Sequence, residues 1–311
     1  MILVCGGQND PNLRVLIKRL RERSLPFRTL LVGPDVPPRV RFDMQNETFE
    51  LNGETLSPTA YFIRHDVFLY ETADFAHAHA QAHNWYYTLR GWAESRAGAR
   101  LFNRRTGLRE NNKIHNLIEA ASIGLAIPRT IATNAFEEFT GRSEKLIQKP
   151  VAGGEYTTLL SALNTKDAGP RFVQPRLNRP EIRIYRIGSR LLAFELQSPE
   201  LDYRQTRDVE IKPVAVPEKV GGKLLELCDR LELDFGAADF MVDDLGNLNF
   251  LEVNSQPMFA AFDRIADGAV SDAIIDHLLA DGRQISADTG PDHGRVFAFR
   301  QAHAAPANSS Y

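Results

Sequence analysis

Apolar and polar residues recur along this chain with two different periods, and the places where one gives way to the other mark its elements. Ile2-Leu3-Val4-Cys5 is an unbroken apolar run that reads as a buried strand. Asp10-Pro11 then supplies a helix N-cap with proline at the first helical position, and Leu13, Leu16, Ile17 and Leu20 follow at helical spacing. Residues 27–32 and 60–63 read as further strands, with a hairpin between residues 41 and 56 that turns at Asn52-Gly53. A helical stretch from Thr72 to about Arg96 precedes a last strand, Arg100-Leu101-Phe102. That order predicts a small parallel sheet within residues 1–102.

The pattern then changes. Asn111-Asn112 caps a helix whose Ile114, Leu117, Ile118 and Ala121 form one apolar stripe, ended by Gly124 with Pro128 beyond. Lys113 sits in its first turn, where a cation opposes the helix dipole; it is either a tolerated, solvated lysine or one placed to meet an anion. Asn134 and Glu137 open a short helix, residues 145–150 read as a strand, and residues 156–160 as another. Between them, Lys149 and the pair Gly153-Gly154 suit a phosphate, since bare amides can close over the anion while the ammonium meets its charge. Residues 171–177 form a strand that runs into a bend. In the next strand Glu181, Arg183 and Tyr185 share one face, and Ile182 and Ile184 take the core side. A helix from about Pro217 buries Val220, Leu224, Leu227 and Leu231.

Near the end, Ala238-Asp239-Phe240-Met241-Val242 and Phe250-Leu251-Glu252-Val253-Asn254 frame Asp243-Asp244-Leu245-Gly246-Asn247, whose residues suit a tight turn. If Asp243 pairs with Leu248 around a four-residue loop, counting back along both strands sets Asp239 opposite Glu252 with both side chains on one face. Asn254 joins them, while Phe240, Val242, Leu251 and Val253 point into a core. Three hard oxygen donors then converge, a set suited to Mg2+, which takes one or two carboxylates and fills its remaining positions with phosphate oxygens and water. A one-residue slip would break the arrangement. An ordinary hairpin with a solvated acidic face is the plainer reading of the same pattern.

Composition narrows the class. A chain of 311 residues with 43% hydrophobic content can bury a large core, and this length commonly divides into two or three lobes. The net charge of −3 supplies no broad basic excess and argues against nucleic acid as the main partner. No apolar run approaches the roughly 18 residues needed to span a bilayer, and the first strand lacks the basic flank of a signal peptide. Cys5 and Cys228 lie in apolar surroundings, which favours buried thiols over a disulfide and a reducing cytoplasm. Residues 282–311, rich in Gly, Ala, Pro, Asn and Ser, read as a mobile tail.

Taken in order, Lys113 at a helix start, Lys149 before Gly153-Gly154, Gln174 through Leu177, Glu181-Ile182-Arg183, and Asp239 with Glu252-Val253-Asn254 resemble the ATP-grasp superfamily. The nearest branches are the ribosomal-protein glutamate ligases and the microviridin-type (graspetide) peptide maturases. Leu101-Phe102-Asn103, the segment from Gly124 to Thr130, and Asp202-Tyr203-Arg204 lean toward the maturases, and Phe62-Ile63-Arg64 resembles part of their pre-ATP-grasp lobe. The resemblance covers about residues 1–280 and implies an α/β (α+β) ATP-grasp fold. A pre-ATP-grasp α/β domain would occupy 1–102, and an ATP-grasp domain 103–281, with a small lobe at about 130–178 and a large lobe carrying the metal site.

The same resemblance implies ATP bound by Lys113, Lys149, Gly153, Gly154, Gln174, Leu177 and Glu181. Mg2+, with Mn2+ as an alternative, would be held by Asp239, Glu252 and Asn254. Arg183 and Arg204 would be the catalytic groups. The implied reaction is ADP-forming: a substrate carboxylate becomes an acyl phosphate, and an amine or hydroxyl displaces phosphate to give an amide or ester. Its partner would be a peptide, a protein or an amino acid, with no nucleic acid or membrane; a homodimer is compatible. A non-catalytic ATP-binding protein of regulatory or interaction type, and an amino-acid or dipeptide ligase, are the alternatives. Relatives usually carry an acidic and then an aromatic residue after the hinge glutamine, where this chain has Pro175-Arg176.

Other features take plainer readings. Gly6-Gly7 lacks the spacing of a dinucleotide loop. Of His77, His79 and His83 only the last two share a helix face, and nothing completes a metal set, so a structural or surface role is expected. Trp85, Tyr86, Tyr87 and Trp92 read as packing between helix and sheet. Arg64-His65-Asp66 follows a strand at its C-terminal end, where open sheets bind ligands; it either faces an acceptor substrate or forms a local ion pair.

Overall fold

One five-stranded sheet, buried on both faces, organises the chain. The computed structural model describes residues 1–280 except 34–37, 69–73, 106–111, 140, 153–155, 163–168 and 207. Thr72, Asn111, Gly153, Gly154 and the predicted tail therefore lie outside the described residues. In chain order the elements are β1 (Ile2–Gly7), α1 (Pro11–Glu22), β2 (Phe27–Val32), β3 (Val40–Asp43), β4 (Thr48–Leu51), β5 (Glu54–Leu56), β6 (Ala60–Ile63), α2 (Phe75–Ser95) and β7 (Arg100–Leu101). They continue with α3 (Lys113–Ser122), β8 (Ile131–Thr133), β9 (Leu146–Pro150), β10 (Thr158–Leu159), β11 (Arg171–Pro175), β12 (Asn178–Ile187), β13 (Arg190–Gln197) and β14 (Glu210–Val214). The last are α4 (Glu218–Arg230), β15 (Phe235–Val242), β16 (Leu248–Asn254), α5 (Ala260–Ile265) and α6 (Ala269–Leu279).

The expected parallel sheet forms in the order β2-β1-β6-β7. Asp10 caps α1 by accepting from the Asn12 amide, and Leu13, Leu16, Ile17 and Leu20 are its buried face. The predicted hairpin is a three-stranded meander, β3-β4-β5, because a further turn separates β3 from β4. Asn52 and Gly53 both take positive φ, 52° and 86°, as a tight hairpin turn requires. Gly7 has a different reason to be glycine: a Cβ there would land on the Asp66 carboxyl group. Gly7→Ala is expected to destabilise the protein by about 1–3 kcal/mol through this overpacking, a loss that urea unfolding would register.

Residues 1–102 contribute to two cores, one shared with the rest of the chain and one of their own. One cluster joins Ile2, Val4, Leu16, Phe62 and Phe102 to Tyr185, Phe194, Phe259, Ile274 and Leu278. Phe62 makes edge-on contacts with Phe102, Phe235 and Phe259, at 6.1, 5.7 and 6.2 Å between ring centroids. Trp92 and Tyr86 fill a separate core between α2 and the sheet, as expected, but Tyr87 is exposed.

Two antiparallel sheets follow. The first has the order β10-β9-β11-β8, and the second is the five-stranded sheet β14-β13-β12-β15-β16. On one face of the latter Tyr185 and Phe194 join the shared core, and on the other Ile182, Ile184, Phe240 and Phe250 pack against Leu224 and Leu227 of α4 and Leu117 of α3. The apolar stripe expected on α3 is rotated. Its buried residues are Asn116, Leu117 and Ala120, whereas Ile114 and Ile118 are 41% and 61% exposed. The buried face is the one that carries Lys113, so the helix turns a mixed polar face inward and leaves two isoleucines in solvent. Cys5 and Cys228 are buried free thiols, and among the described residues no helix is long and apolar enough to cross a membrane.

Candidate active site

The register of β15 and β16 decides the site. Asp239 lies opposite Glu252, as the count predicts, but by a different route. The turn is one residue longer than expected: Val242 pairs with Leu248, and Asp243, at the head of the loop, accepts backbone N–H bonds through its side chain from Leu245 and Asn247 at 2.9 and 2.8 Å. That slip alone would have separated the two carboxylates. A bulge between the Phe240–Phe250 and Asp239–Glu252 pairs, with Leu251 as the extra residue, restores the register. Phe250 takes the core position expected for Leu251, with its ring 5.6 Å from that of Phe240.

Strand β12 brings the cation. Arg183 pairs with Asp239 across the ladder, and its Nε and Nη2 donate to both carboxylate oxygens at 2.7 and 2.9 Å. The guanidinium lies 5.3 Å from the centre of the Phe262 ring. Burial pushes the Asp239 carboxyl up from its ordinary range, with Arg183 opposing. Lys113, in the first turn of α3, reaches Glu252 at 2.9 Å, so the lysine that opposes the helix dipole has met an anion. Burial works against ionisation of Glu252, but Lys149 and Lys113 outweigh it and hold its carboxyl down to about 2. Lys149, near the end of β9 and paired with Phe172, is itself buried; desolvation lowers its pKa while Glu252, Asp239 and Glu181 raise it.

Asn254 completes the donor set. Its Nδ2 donates to Glu252 Oε1 at 3.2 Å, a bond that does not use the amide oxygen, which could therefore serve as a metal donor. Among the described residues no group of three or more His, Cys, Asp or Glu is arranged to hold a metal ion. The available set is thus two carboxylates and one amide oxygen, which fits Mg2+ bound together with phosphate oxygens and fits poorly an ion that needs a cage made only of protein.

The structure also places the other predicted residues. Glu181 is buried and accepts from Arg179 at 2.9 Å; burial, then the Asp239 charge, push it up to about 7. Folded Glu181 therefore keeps a proton that the unfolded chain, with its ordinary value of 4.5, has already lost. This favours folding on the acid side and is lost as pH rises through about 7. Glu181→Gln removes the effect, so the stability of the variant relative to the parent is expected to improve between about pH 5 and pH 8 in urea melts. Gln174 spends its side chain on Thr130, donating to Oγ1 at 2.7 Å, and Leu177 is half-buried in the bend before β12. Arg204 belongs to a second constellation. It donates to Asp202 at 2.8 and 2.5 Å, Asp202 also accepts from the Thr157 amide at 3.0 Å, and the guanidinium lies 5.3 Å from the centre of the Tyr156 ring.

Three further residues support the site; Asn103 and Arg64 stand in the segments that carry the resemblance, whereas Asn12 has no sequence signal. Asn103 accepts from the Asp234 and Phe235 amides, both at 3.0 Å, and so fixes the start of β15. Asn12 accepts from the Phe259 and Ala260 amides at 2.6 and 2.8 Å, beyond the end of β16. Arg64 forms a buried ion pair with Asp10 at 2.6 Å and donates to the Pro257 carbonyl at 3.0 Å.

No family model and no curated protein matches the chain. Solved structures do. The ATP-grasp ligase PsnB complexed with a minimal precursor superimposes with a TM-score of 0.71 at 22% identity, over 89% of this chain and 98% of that one. The fold is that of the ATP-grasp ligases. Macrocyclase MdnC of Microcystis aeruginosa MRC, bound with precursor peptide MdnA, shares this ATP-grasp fold with a TM-score of 0.70 and 19% identity over 90% of this chain and 99% of its own. So does a RiPP-associated ATP-grasp ligase of Chryseobacterium gregarium in complex with ADP and a leader and core peptide, at 0.69 and 20% identity over 89% of this chain and 96% of its own. PsnB has also been solved with Mg and ADP. At these identities the likeness carries the ATP-grasp fold, and the chemistry rests on the residues.

Proposed function

We propose that this chain is an ATP-dependent ligase that activates a carboxylate as an acyl phosphate and joins it to an amine or hydroxyl on a peptide or protein substrate. The observation that carries the reading is the bulge-corrected register that sets Asp239 against Glu252, with Arg183, Lys113, Lys149 and Asn254 gathered on them. A folded domain with no use for charge would gain nothing by burying so many ionised groups, since each costs several kcal/mol to desolvate.

In this reading residues 1–102 are the pre-ATP-grasp domain and 103–281 the ATP-grasp domain. Lys113 and Lys149, together with Gly153 and Gly154, hold the phosphates of ATP. Glu181, the Leu177 backbone and the strand around Gln174 hold the nucleoside. Asp239, Glu252 and Asn254 would hold Mg2+, which when bound neutralises phosphate charge and orients the triphosphate. Arg183 faces the transferring phosphoryl group, and Arg204, fixed by Asp202, faces the substrate carboxylate or the oxyanion that develops on it. PsnB, MdnC and the Chryseobacterium ligase were each solved with a precursor, leader or core peptide, which supports a peptide as the substrate class.

The test is an assay of ADP, AMP and phosphate release with Mg2+ and ATP against pools of peptides and amino acids. Acceptor-stimulated ADP release is expected. AMP release would indicate adenylation and overturn the mechanism, and tight ATP binding without turnover would leave a binding protein.

A further inference from the structure

We propose that Arg179 is a positioning residue of the site: it ties Glu181 to the loop between β13 and β14 and so sets where Arg204 presents its guanidinium to the substrate. This rests on the ligase reading above and deepens it. Arg179 lies in β12, where an irregularity takes Arg179 and Pro180 out of the ladder with β15: Asn178 pairs with Val242, and Glu181 already with Met241. On the other edge of the strand Glu181 pairs with Leu196, one residue before β13 ends at Gln197. The chain therefore leaves the sheet beside Glu181, and the Arg179 side chain bridges the two.

The guanidinium is divided between them. Its Nη1 donates to Glu181 Oε2 at 2.9 Å, and its Nη2 donates to the backbone carbonyls of Glu200 and Leu201 at 3.0 and 3.3 Å. Those carbonyls stand directly before Asp202, which is buried and holds the Arg204 guanidinium through the two bonds described above. Asp202 also accepts from the Arg204 amide at 3.1 Å, so one carboxylate fixes both the backbone and the side chain of the residue it orients. The Arg204 side chain is itself 49% exposed. A long side chain at that exposure has rotamer freedom to lose, and it stabilises a developing charge only if whatever carries it is fixed beforehand. Arg179 fixes the loop from the five-stranded sheet, and the Thr157 amide, just before β10, fixes Asp202 from the other antiparallel sheet.

Arginine suits this task by shape as well as charge. Its planar group carries donors in a rigid fork, so one nitrogen serves the carboxylate while the other serves the carbonyls. A lysine ammonium is a compact point charge on a flexible stem and would keep the first contact at the expense of the second. Placement matters here because a misplacement of about 1 Å at a reacting centre can cost about 10²-fold in rate.

The test has two arms, both on the full chain. In the first, arginine is labelled with nitrogen-15, the Nε–H signals of Arg204 and Arg183 are assigned through Arg204→Lys and Arg183→Lys, and their exchange with water is measured. Arg179→Met and Arg179→Lys are each expected to speed exchange at Arg204 by about tenfold or more, and to leave Arg183, bonded to Asp239, within about twofold of the parent. Unchanged exchange at Arg204, or equal acceleration at both sites, would overturn the proposal. In the second arm, ADP release is measured with the peptide pools. Arg179→Lys keeps a cation beside Glu181, so the KM for ATP should stay within about threefold while kcat/KM for the carboxylate peptide falls by about tenfold or more. On an Arg204→Met background Arg179→Met should add almost nothing, because a residue that acts through another has no effect once that other is gone. Parent-like kinetics of Arg179→Lys, an equal loss for ATP and peptide, or full additivity of the two Met substitutions would each rule out a positioning role. Should Arg179→Met fail to fold, Arg179→Lys is combined with Arg204→Met in its place. Absence of turnover by the parent with every pool overturns the ligase reading instead, and the exchange rates still decide whether Arg179 fixes Arg204.

Discussion

Glu252→Gln is expected to reduce metal-dependent ATP turnover by at least about 10²–10³-fold, the scale on which a preorganised electrostatic contact to the transition state is lost. Three consequences coincide at this one residue. A carboxylate disappears from the proposed metal set, Lys113 loses its 2.9 Å partner, and the buried Lys149 loses the strongest charge that stabilises its ammonium. The substitution keeps the shape of the side chain, so the bulge and the Phe240–Phe250 contact that set the register remain. The check is steady-state turnover alongside Mn2+ binding followed by electron paramagnetic resonance in the presence of ATP. Turnover close to that of the parent would remove Glu252 from the site. Lost metal binding with an unchanged melting temperature would place the defect in the chemistry.

Arg183→Ala should be the most destabilising change at the site. Asp239 is buried and both of its oxygens accept from this one guanidinium. Removing one member of a buried pair leaves an uncompensated charge and costs about 3–5 kcal/mol, or a melting temperature lower by about 10 °C in a protein of this size. Arg183→Met combined with Asp239→Leu should recover most of that loss, because two apolar groups of similar volume need no counter-charge. It should recover none of the turnover. A double-mutant cycle in urea measures the first expectation and ADP release the second. If Arg183→Ala alone lost turnover at full stability, Asp239 would have found another partner; if the double variant regained activity, the pair would be scaffolding.

Much of this was legible in the sequence, because local rules govern it. The α1 cap at Asp10-Pro11, the Asn52-Gly53 turn, the parallel order of the first sheet and the alternation of Ile182 and Ile184 with Glu181 and Arg183 all follow from short-range sterics and from the face a residue must bury. The pairing of Asp239 with Glu252 was legible as a count along two strands. Its mechanism was not: the loop is five residues, from Asp243 to Asn247, and the bulge at Leu251 that compensates depends on Phe250 reaching the core beneath Phe240, a long-range preference no local pattern announces. The buried face of α3 departs from the hydrophobic spacing for the same reason. Hydrophobic spacing selects Ile114 and Ile118, yet tertiary packing turns Lys113 and Asn116 inward because Glu252 waits there. By itself the sequence determined which residue types could bind phosphate and metal, and on which strands they alternate. Only the tertiary structure decided which charges meet, because the energy of a buried ion pair depends on a few ångströms across elements that lie far apart in the chain.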